Sequence, residues 1–313
     1  MEKTTEKNFI IVDHINGYLM PNGPDIYVMK RATPFFNVPE MSAGSRPTDD
    51  GNFLFTQAEM EDFIKKEPLA ERFIRKCMGG KDFINGTTRY CLYLADCQPN
   101  ELRKMPLVYE RVKNVREFRL KSKSKQTQRD SDKPMLFQRF VQSSANYIFI
   151  PQVSSERRRY IPMGFMPPEI ICLDPNFMIP NADLFLFGVL TSSIHMAWVR
   201  MVCGRLKSDY RYSATICYNC FPFPLFYSDD QKQKIEQTAQ KILDVRANYP
   251  NSTYADLYDE ISMPYDLRKA HEANNREVLR AYYLPEDMPE LTMQITLLKS
   301  YQTLHEEFDF DEE

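Results

Sequence analysis

A chain of 313 residues, 43% hydrophobic and 27% charged, has the make-up of a globular protein and the length for one large core or two modest ones. No apolar run approaches the roughly 20 residues a membrane span needs, and Met1 to Phe9 is polar and charged where a signal peptide is apolar, so a cytoplasmic protein with no membrane partner is expected. The net charge of −3 argues against a nucleic-acid partner, although the average hides a strong asymmetry between a basic run at 103–133 and an acidic end.

From Phe9 to Arg31 the apolar residues are interrupted by Asn16-Gly17 and by Pro21-Asn22-Gly23-Pro24, which predicts two short strands joined by turns. Thr56 and Glu59 form a capping box ahead of a helix predicted over Gln57 to Met78 and stopped by Gly79-Gly80. Tyr90, Leu92 and Leu94 alternate with Cys91, Tyr93 and Ala95 as in a buried strand, and Asn100 is expected to cap a helix. That helix and the segment after it carry Arg103, Arg111, Lys113, Arg116, Arg119, Lys121, Lys123, Lys125, Arg129 and Lys133. Lys121 to Lys133 is nearly devoid of apolar residues and reads as a mobile loop. Leu136 to Val141, Tyr147 to Pro151, Tyr160 to Phe165 and Ile170 to Leu173 read as short strands, and Ala182 to Cys203 as one apolar helix ended by Gly204. A strand is predicted over Tyr212 to Phe221. Ser228 then caps a long helix through Ala247, and nearly all that follows to Phe308 is helical before the acidic end, Glu306, Glu307, Asp309, Asp311, Glu312 and Glu313.

These elements predict an α+β fold, with a mixed or antiparallel sheet and packed helices over residues 1–227 followed by an all-α domain over 228–313. The odd number of cysteines, seven, reads as a set of reduced thiols in a chain large enough to fold without staples. Cys217 and Cys220 are a lone pair without a second pair at zinc spacing, and strand alternation predicts that their thiols point to opposite faces.

Catalytic signatures are missing from the text. There is no glycine-rich cofactor turn, no Asn-Pro-Pro-aromatic element to grip a flipped base and no phosphate-cradling loop, and Asp174-Pro175-Asn176-Phe177 reads as a turn. Pro24-Asp25 with Lys30 lacks the second acid of a metal-dependent nuclease, because Val28 stands in its place. Ser193, His195 and Asp209 are the residue types of a hydrolytic triad, but His195 on an apolar helix reads as a packing histidine. No catalytic residue, metal site or cofactor is therefore assigned to this chain.

Two clusters carry the chemistry of polyanion binding. Arg157, Arg158, Arg159 and Tyr160 read as the opening of a strand, with Arg157 and Arg159 on one face and Arg158 on the other, where it either meets DNA or pairs with Glu156 or another carboxylate. Arg200, Arg205, Lys207, Asp209, Tyr210, Arg211 and Tyr212 alternate guanidinium forks with rings that can pack against sugars. Lys121 and Lys123 in the basic run are a further candidate contact.

At these residues the chain resembles a known family. Thr191-Ser192-Ser193-Ile194-His195-Met196-Ala197-Trp198 and Gly204-Arg205-Leu206-Lys207-Ser208-Asp209-Tyr210-Arg211-Tyr212-Ser213 are similar to the C-terminal part of MmeI-like restriction-modification enzymes of types IIG and IIL. Gly44 to Asn52, Phe83-Ile84-Asn85-Gly86, Ser155-Glu156-Arg157-Arg158, Ile161 to Phe165, Met263-Pro264 and Ala270-His271 fit the same family in the same order, with Asp50-Gly51 where its members have a double glycine. The resemblance implies a target-recognition domain that reads a short asymmetric double-stranded DNA sequence, up to about Tyr227. The helical domain after it would brace that reader against DNA or the methyltransferase. It further implies an upstream nuclease, helical connector and adenine-N6 methyltransferase in the same polypeptide, with S-adenosylmethionine and Mg serving those upstream parts. The alternative is an interaction module that docks a methyltransferase subunit without itself reading DNA.

Overall fold

Thr56 leaves the first short strands and opens the first long helix through a reciprocal bond: its hydroxyl accepts from the Glu59 N–H at 3.4 Å while the Thr56 N–H donates to the Glu59 carboxylate at 2.7 Å. In the computed structural model, which describes residues 11–309, this joins β1 (Ser42–Ala43) and β2 (Leu54–Thr56) to α1 (Gln57–Lys66). The helix is shorter than its sequence predicts. Pro68 disfavours helical geometry at Glu67, whose φ of −135° and ψ of 71° end α1, and a 3-10 turn leads into β3 (Ile74–Met78). Residues 74–78 are a strand because they pair with β4 (Arg89–Leu92), Ile74 opposite Leu92 and Cys77 opposite Arg89. Gly79 and Gly80 do not stop a helix; they begin α2 (Gly80–Asn85).

Asn100 does not cap the basic helix. Gln98 opens the four-residue α3 (Pro99–Leu102), and Pro106, which fits only a helix's first turn, starts α4 (Pro106–Leu120). Lys121 to Lys133 is built rather than looped, with α5 (Lys125–Arg129) and a 3-10 turn held around the Arg119 guanidinium. The remaining strands are β5 (Tyr147–Ile150), β6 (Val153–Ser154), β7 (Gly164–Met166), β8 (Ile171–Cys172) and β9 (Phe177–Pro180). Leu136 to Val141 forms no strand, only a bridge between Arg46 and Arg139, and of Tyr160 to Phe165 only the last two residues enter a strand.

The predicted apolar helix is two: α6 (Leu184–Leu190) and α7 (Ser193–Val202), bent by 54° where the Ser192 side chain restarts the helix by accepting from the His195 N–H. No single described helix is long and apolar enough to cross a membrane. After β10 (Gly204–Leu206) and β11 (Asp209–Arg211) comes a π-helical turn, Ala214–Tyr218, in place of the expected strand. It holds the opening segment, where the two expected strands are reduced to one antiparallel bridge, Ile15 to Pro21, around a turn: Asn219 donates to the Arg31 and Ala32 carbonyls at 3.0 and 2.9 Å, and the Tyr218 hydroxyl donates to Pro39 O at 2.7 Å. Part of the predicted opening, Phe9 and Ile10, and the acids Asp311, Glu312 and Glu313 lie outside the described residues.

Four helices follow among the described residues: α8 (Asp229–Ala247), capped by Ser228, then α9 (Tyr254–Leu257), α10 (Tyr265–Ala281) and α11 (Glu290–Asp309). The fold is α+β. Sheet β2-β4-β3-β8 and helix α4 enclose one apolar core through Phe53, Cys91, Val108 and Val115, while sheet β1-β9-β5-β7 shares a larger one with α6, α7, α8, α10 and α11. The helices after Ser228 therefore pack into the same core as β5, β9 and α7. All seven cysteines are free and buried, and Cys217 and Cys220 belong to the π-helical turn and the residues after it, not to a strand.

Candidate nucleic-acid interface

Strand β11 lies between β6 and β10, antiparallel to both, with Tyr210 opposite Ser154 and Arg205, and Arg211 opposite Val153 and Gly204. This ladder brings together the two cationic segments that the sequence keeps 53 residues apart. The chain leaving β6 turns through 155–160, and the turn is tied to the hairpin where the Glu156 N–H donates to Asp209 Oδ1 at 3.3 Å and the Tyr210 hydroxyl to Glu156 O at 3.4 Å. The β10–β11 hairpin turns in two residues, and Lys207 sits in the left-handed region at φ 57°, where a glycine is usual.

The arginines at 157–159 occupy this turn, because β6 ends at Ser154. Arg157 and Arg159 are exposed and Arg158 is half-buried. Arg158 Nη1 donates to Ser154 Oγ at 3.4 Å; burial pushes its guanidinium below the ordinary value, and the charges of Asp209 and Asp259 oppose the shift. Arg205, Lys207 and Arg211 are exposed, Asp209 half-buried. The Arg205 guanidinium lies 4.1 Å over the Tyr210 ring. Arg200 is a brace, binding Glu290 of α11 at 3.0 Å and the Arg159 carbonyl at 3.1 Å. Lys121 and Lys123 are exposed beyond the end of α4, on the part of the fold built around the smaller core.

The three tyrosines of the predicted surface are not on it. Tyr160 is 1% exposed, Tyr210 3% and Tyr212 1%. Each is drawn inward by a polar partner its ring can reach while the ring itself fills the core. Tyr160 stacks on His271 at 4.1 Å and accepts from Asn275 Nδ2 at 2.8 Å, and the Tyr212 hydroxyl meets His195 Nε2 at 2.9 Å. His195 is accordingly a packing histidine, held by burial down to about 3 and neutral, while Asp209 is turned to the Glu156 N–H. The triad arrangement is absent.

Two hollows flank this face and both include Arg158 in their walls. One of about 520 Å³ reaches Lys81, Asn85, Ser155, Asn176 and Asp209, and one of about 390 Å³ reaches Arg157, Arg159, Arg200, Asp259 and Arg268. Sequence reasoning missed Lys81 and Arg268. Lys81 follows the Gly79-Gly80 pair, and Arg268 is half-buried on an amphipathic helix, where a single cation carries no signal of its own. Among the described residues no three His, Cys, Asp or Glu side chains are grouped to hold a metal ion. The turn at Gly79-Gly80 requires small residues: a Cβ at Gly80 would stand 2.6 Å from Asn176 Oδ1, and one at Gly79 2.8 Å from Asp82 Oδ2.

Comparison with known proteins matches this architecture. A family model described as MmeI, target recognition domain, covers residues 22–225, and one described as MmeI, C-terminal domain, covers residues 227–309. DNA methyltransferase A of Bacillus subtilis (strain 168) is 39% identical over 297 residues, 95% of this chain and 33% of that protein. A solved structure of the Type IIL restriction-modification enzyme MmeI in complex with DNA is 42% identical, with a TM-score of 0.91 over 95% of this chain and 39% of that one. The chain thus spans about a third of the length of the relatives it matches, and it belongs to the MmeI family, whose target recognition and C-terminal domains it contains.

Proposed function

We propose that this chain reads duplex DNA for a restriction-modification enzyme, with Arg157, Arg158, Arg205, Lys207 and Arg211 gripping phosphates while neighbouring side chains meet base edges in the major groove. The observation that supports the reading is the β6–β11 ladder, which brings the 155–160 turn beside the β10–β11 hairpin and next to two open hollows, with Arg205 on the Tyr210 side of the hairpin and Arg211 on the other. Buried Tyr160, Tyr210 and Tyr212 act as its floor. Residues 1–227 form the reader, and the helices from Ser228 brace it through the shared core. This chain spans 33% of one relative and 39% of the other, and one is a DNA methyltransferase. We therefore infer that methyl transfer to adenine N6, and cleavage, belong to parts of a longer cytoplasmic polypeptide outside this chain. S-adenosylmethionine would supply the methyl group there and Mg the nuclease chemistry; no residue of this chain takes part in those steps.

The test is a salt titration of binding to a labelled duplex by fluorescence anisotropy. Each phosphate contact contributes about 0.9 to the slope of log affinity against log salt, so Arg205→Ala and Arg211→Ala are each expected to flatten the slope by about one unit. Slopes equal to that of the wild type for both variants would remove those residues from the interface. A wild-type chain that binds no duplex but retains a methyltransferase subunit would replace the reading with that of an interaction module.

A further inference from the structure

The smaller hollow lies where the 155–160 turn meets the loop after α9 and the first turn of α10, so its wall is built by both family domains. Five guanidiniums border it, from Arg157, Arg158, Arg159, Arg200 and Arg268, against the carboxylates of Glu156, Asp259 and Glu260. The Asp259 carboxylate is already engaged, accepting the N–H groups of Ile261 and Ser262 at 2.9 and 3.1 Å. Arg200 is bound to Glu290 and to the Arg159 carbonyl. Arg157 and Arg268, in contrast, make no side-chain hydrogen bond or ion pair among the described residues. Helix α10, 17 residues long, opens at the same wall, with Met263 just before it and Arg268 in its first turn. Its N-cap is Pro264, which offers no side-chain cap, and Asp266 in the first turn takes up the Leu267 N–H at 2.8 Å, so the attraction for an anion comes from the arginines and not from the helix end. An open hollow bordered by more guanidiniums than carboxylates, two of them with unpaired planar forks, suits oxyanions, and guanidinium forks match the paired oxygens of a phosphodiester.

We propose that this hollow is a phosphate site for the duplex backbone, shared between the 155–160 turn and the start of α10, through which the C-terminal helices grip DNA directly by Arg268. The proposal rests on the DNA-reading function above and extends the contact face across the boundary at residues 227 and 228. A backbone phosphate suits the site better than a small free anion, because Arg158 also borders the neighbouring hollow, whose wall carries Lys81, so cations continue past the reach of a single anion.

The experiment compares the 313-residue wild type with Arg268→Gln, Arg268→Lys and Arg205→Ala, using a labelled random-sequence duplex across a salt series. Arg268→Gln is expected to weaken binding about tenfold and to lower the salt slope by about 0.9, whereas Arg268→Lys keeps the slope. Because the Arg268 side chain makes no hydrogen bond or ion pair among the described residues, thermal melting by circular dichroism is expected to be nearly unchanged in both variants. If Arg205→Ala alters the slope and Arg268→Gln does not, the C-terminal helices do not grip DNA and this proposal fails while the reading function stands. If the wild type binds no duplex, the reading function itself fails. A parallel arm adds inorganic phosphate during melting: stabilisation that Arg268→Gln abolishes, with duplex binding intact, would reassign the hollow to a free anion and overturn the proposal.

Discussion

Replacing Arg119 by methionine removes a guanidinium whose five N–H groups all donate to main-chain carbonyls. Nε reaches Thr48 at 3.0 Å, Nη1 reaches Asp130 and Lys133 at 3.0 Å each, and Nη2 reaches Pro47 at 2.8 Å and Leu136 at 2.7 Å. The side chain is 1% exposed, so water cannot replace those donors in place. Five charge-assisted bonds at about 1.5 kcal/mol each give roughly 7 kcal/mol, of which about 3 kcal/mol returns because the charge no longer has to leave water, so a net loss of about 4 kcal/mol is expected. Against a total stability on the order of 5 to 15 kcal/mol this is a large fraction. Arg119→Lys, a point charge unable to span five carbonyls, is expected to lose about half as much. Urea unfolding followed by circular dichroism measures both. Limited trypsin digestion adds a local readout: Lys121, Lys123, Lys125 and Arg129 lie in a segment closed around Arg119, so the variants are expected to be cut there at urea concentrations where the wild type resists. An Arg119→Met protein within about 1 kcal/mol of the wild type would show that the carbonyls find other donors, and the account of this segment would be wrong.

Lys207→Gly relieves the left-handed backbone at the hairpin tip, and is expected to raise stability by about 1 kcal/mol while weakening duplex binding. Thermal melts and anisotropy on the same samples check that the two effects have opposite sign. Gly188→Ala places a Cβ 2.7 Å from Ile235 Cγ2 and 3.2 Å from Ala239 where α6 crosses α8; overpacking outweighs the helix-propensity gain of about 1 kcal/mol, and a net loss of about 2 kcal/mol in urea unfolding is expected. His195, held down to about 3 by burial, and His271, held well below its ordinary value by burial and then by Arg246, are neutral in the fold. Their contribution is fully present above about pH 6.5, the unfolded value, and is lost as pH falls, because the unfolded chain takes up protons that the fold refuses. Unfolding free energy is expected to drop by about 1.4 kcal/mol per pH unit for each histidine below that point. His195→Gln with His271→Gln flattens that dependence, and an unaltered slope in the double variant would refute the assignment.

The boundaries read correctly from the sequence are those set by partners three residues apart. Thr56 with Glu59 and Ser228 with Gln231 close hydrogen-bonded rings that need nothing beyond their own segments, so α1 and α8 begin where the text places them. The family resemblance was equally legible, because it rests on residue order. Local signals also misled where a distant partner decides. Phe73, Ile74 and Cys77 have helical spacing, yet the ladder with β4 makes 74–78 a strand. Tyr212 to Phe221 has strand composition, yet its polar groups turn to serve the extended segment at 29–39 and a π-helical turn results.

The same division runs through the candidate site. Composition and spacing alone determined that cations gather at 157–159 and 205–211 and that the charge run ends near Lys133. Which of those charges face outward was decided by the tertiary structure: Arg119 and Lys121 stand two residues apart in one basic run, but Arg119 meets carbonyls as far as 72 residues away and is buried, while Lys121 remains exposed. Tyr160, Tyr210 and Tyr212 went inward for the same reason, since His271, Asn275 and His195 arrive from helices for Tyr160 and Tyr212, and the Glu156 carbonyl arrives from the 155–160 turn for Tyr210. Burial and pairing are properties of groups brought together through space, and a spacing rule registers only what lies within a turn or two along the chain.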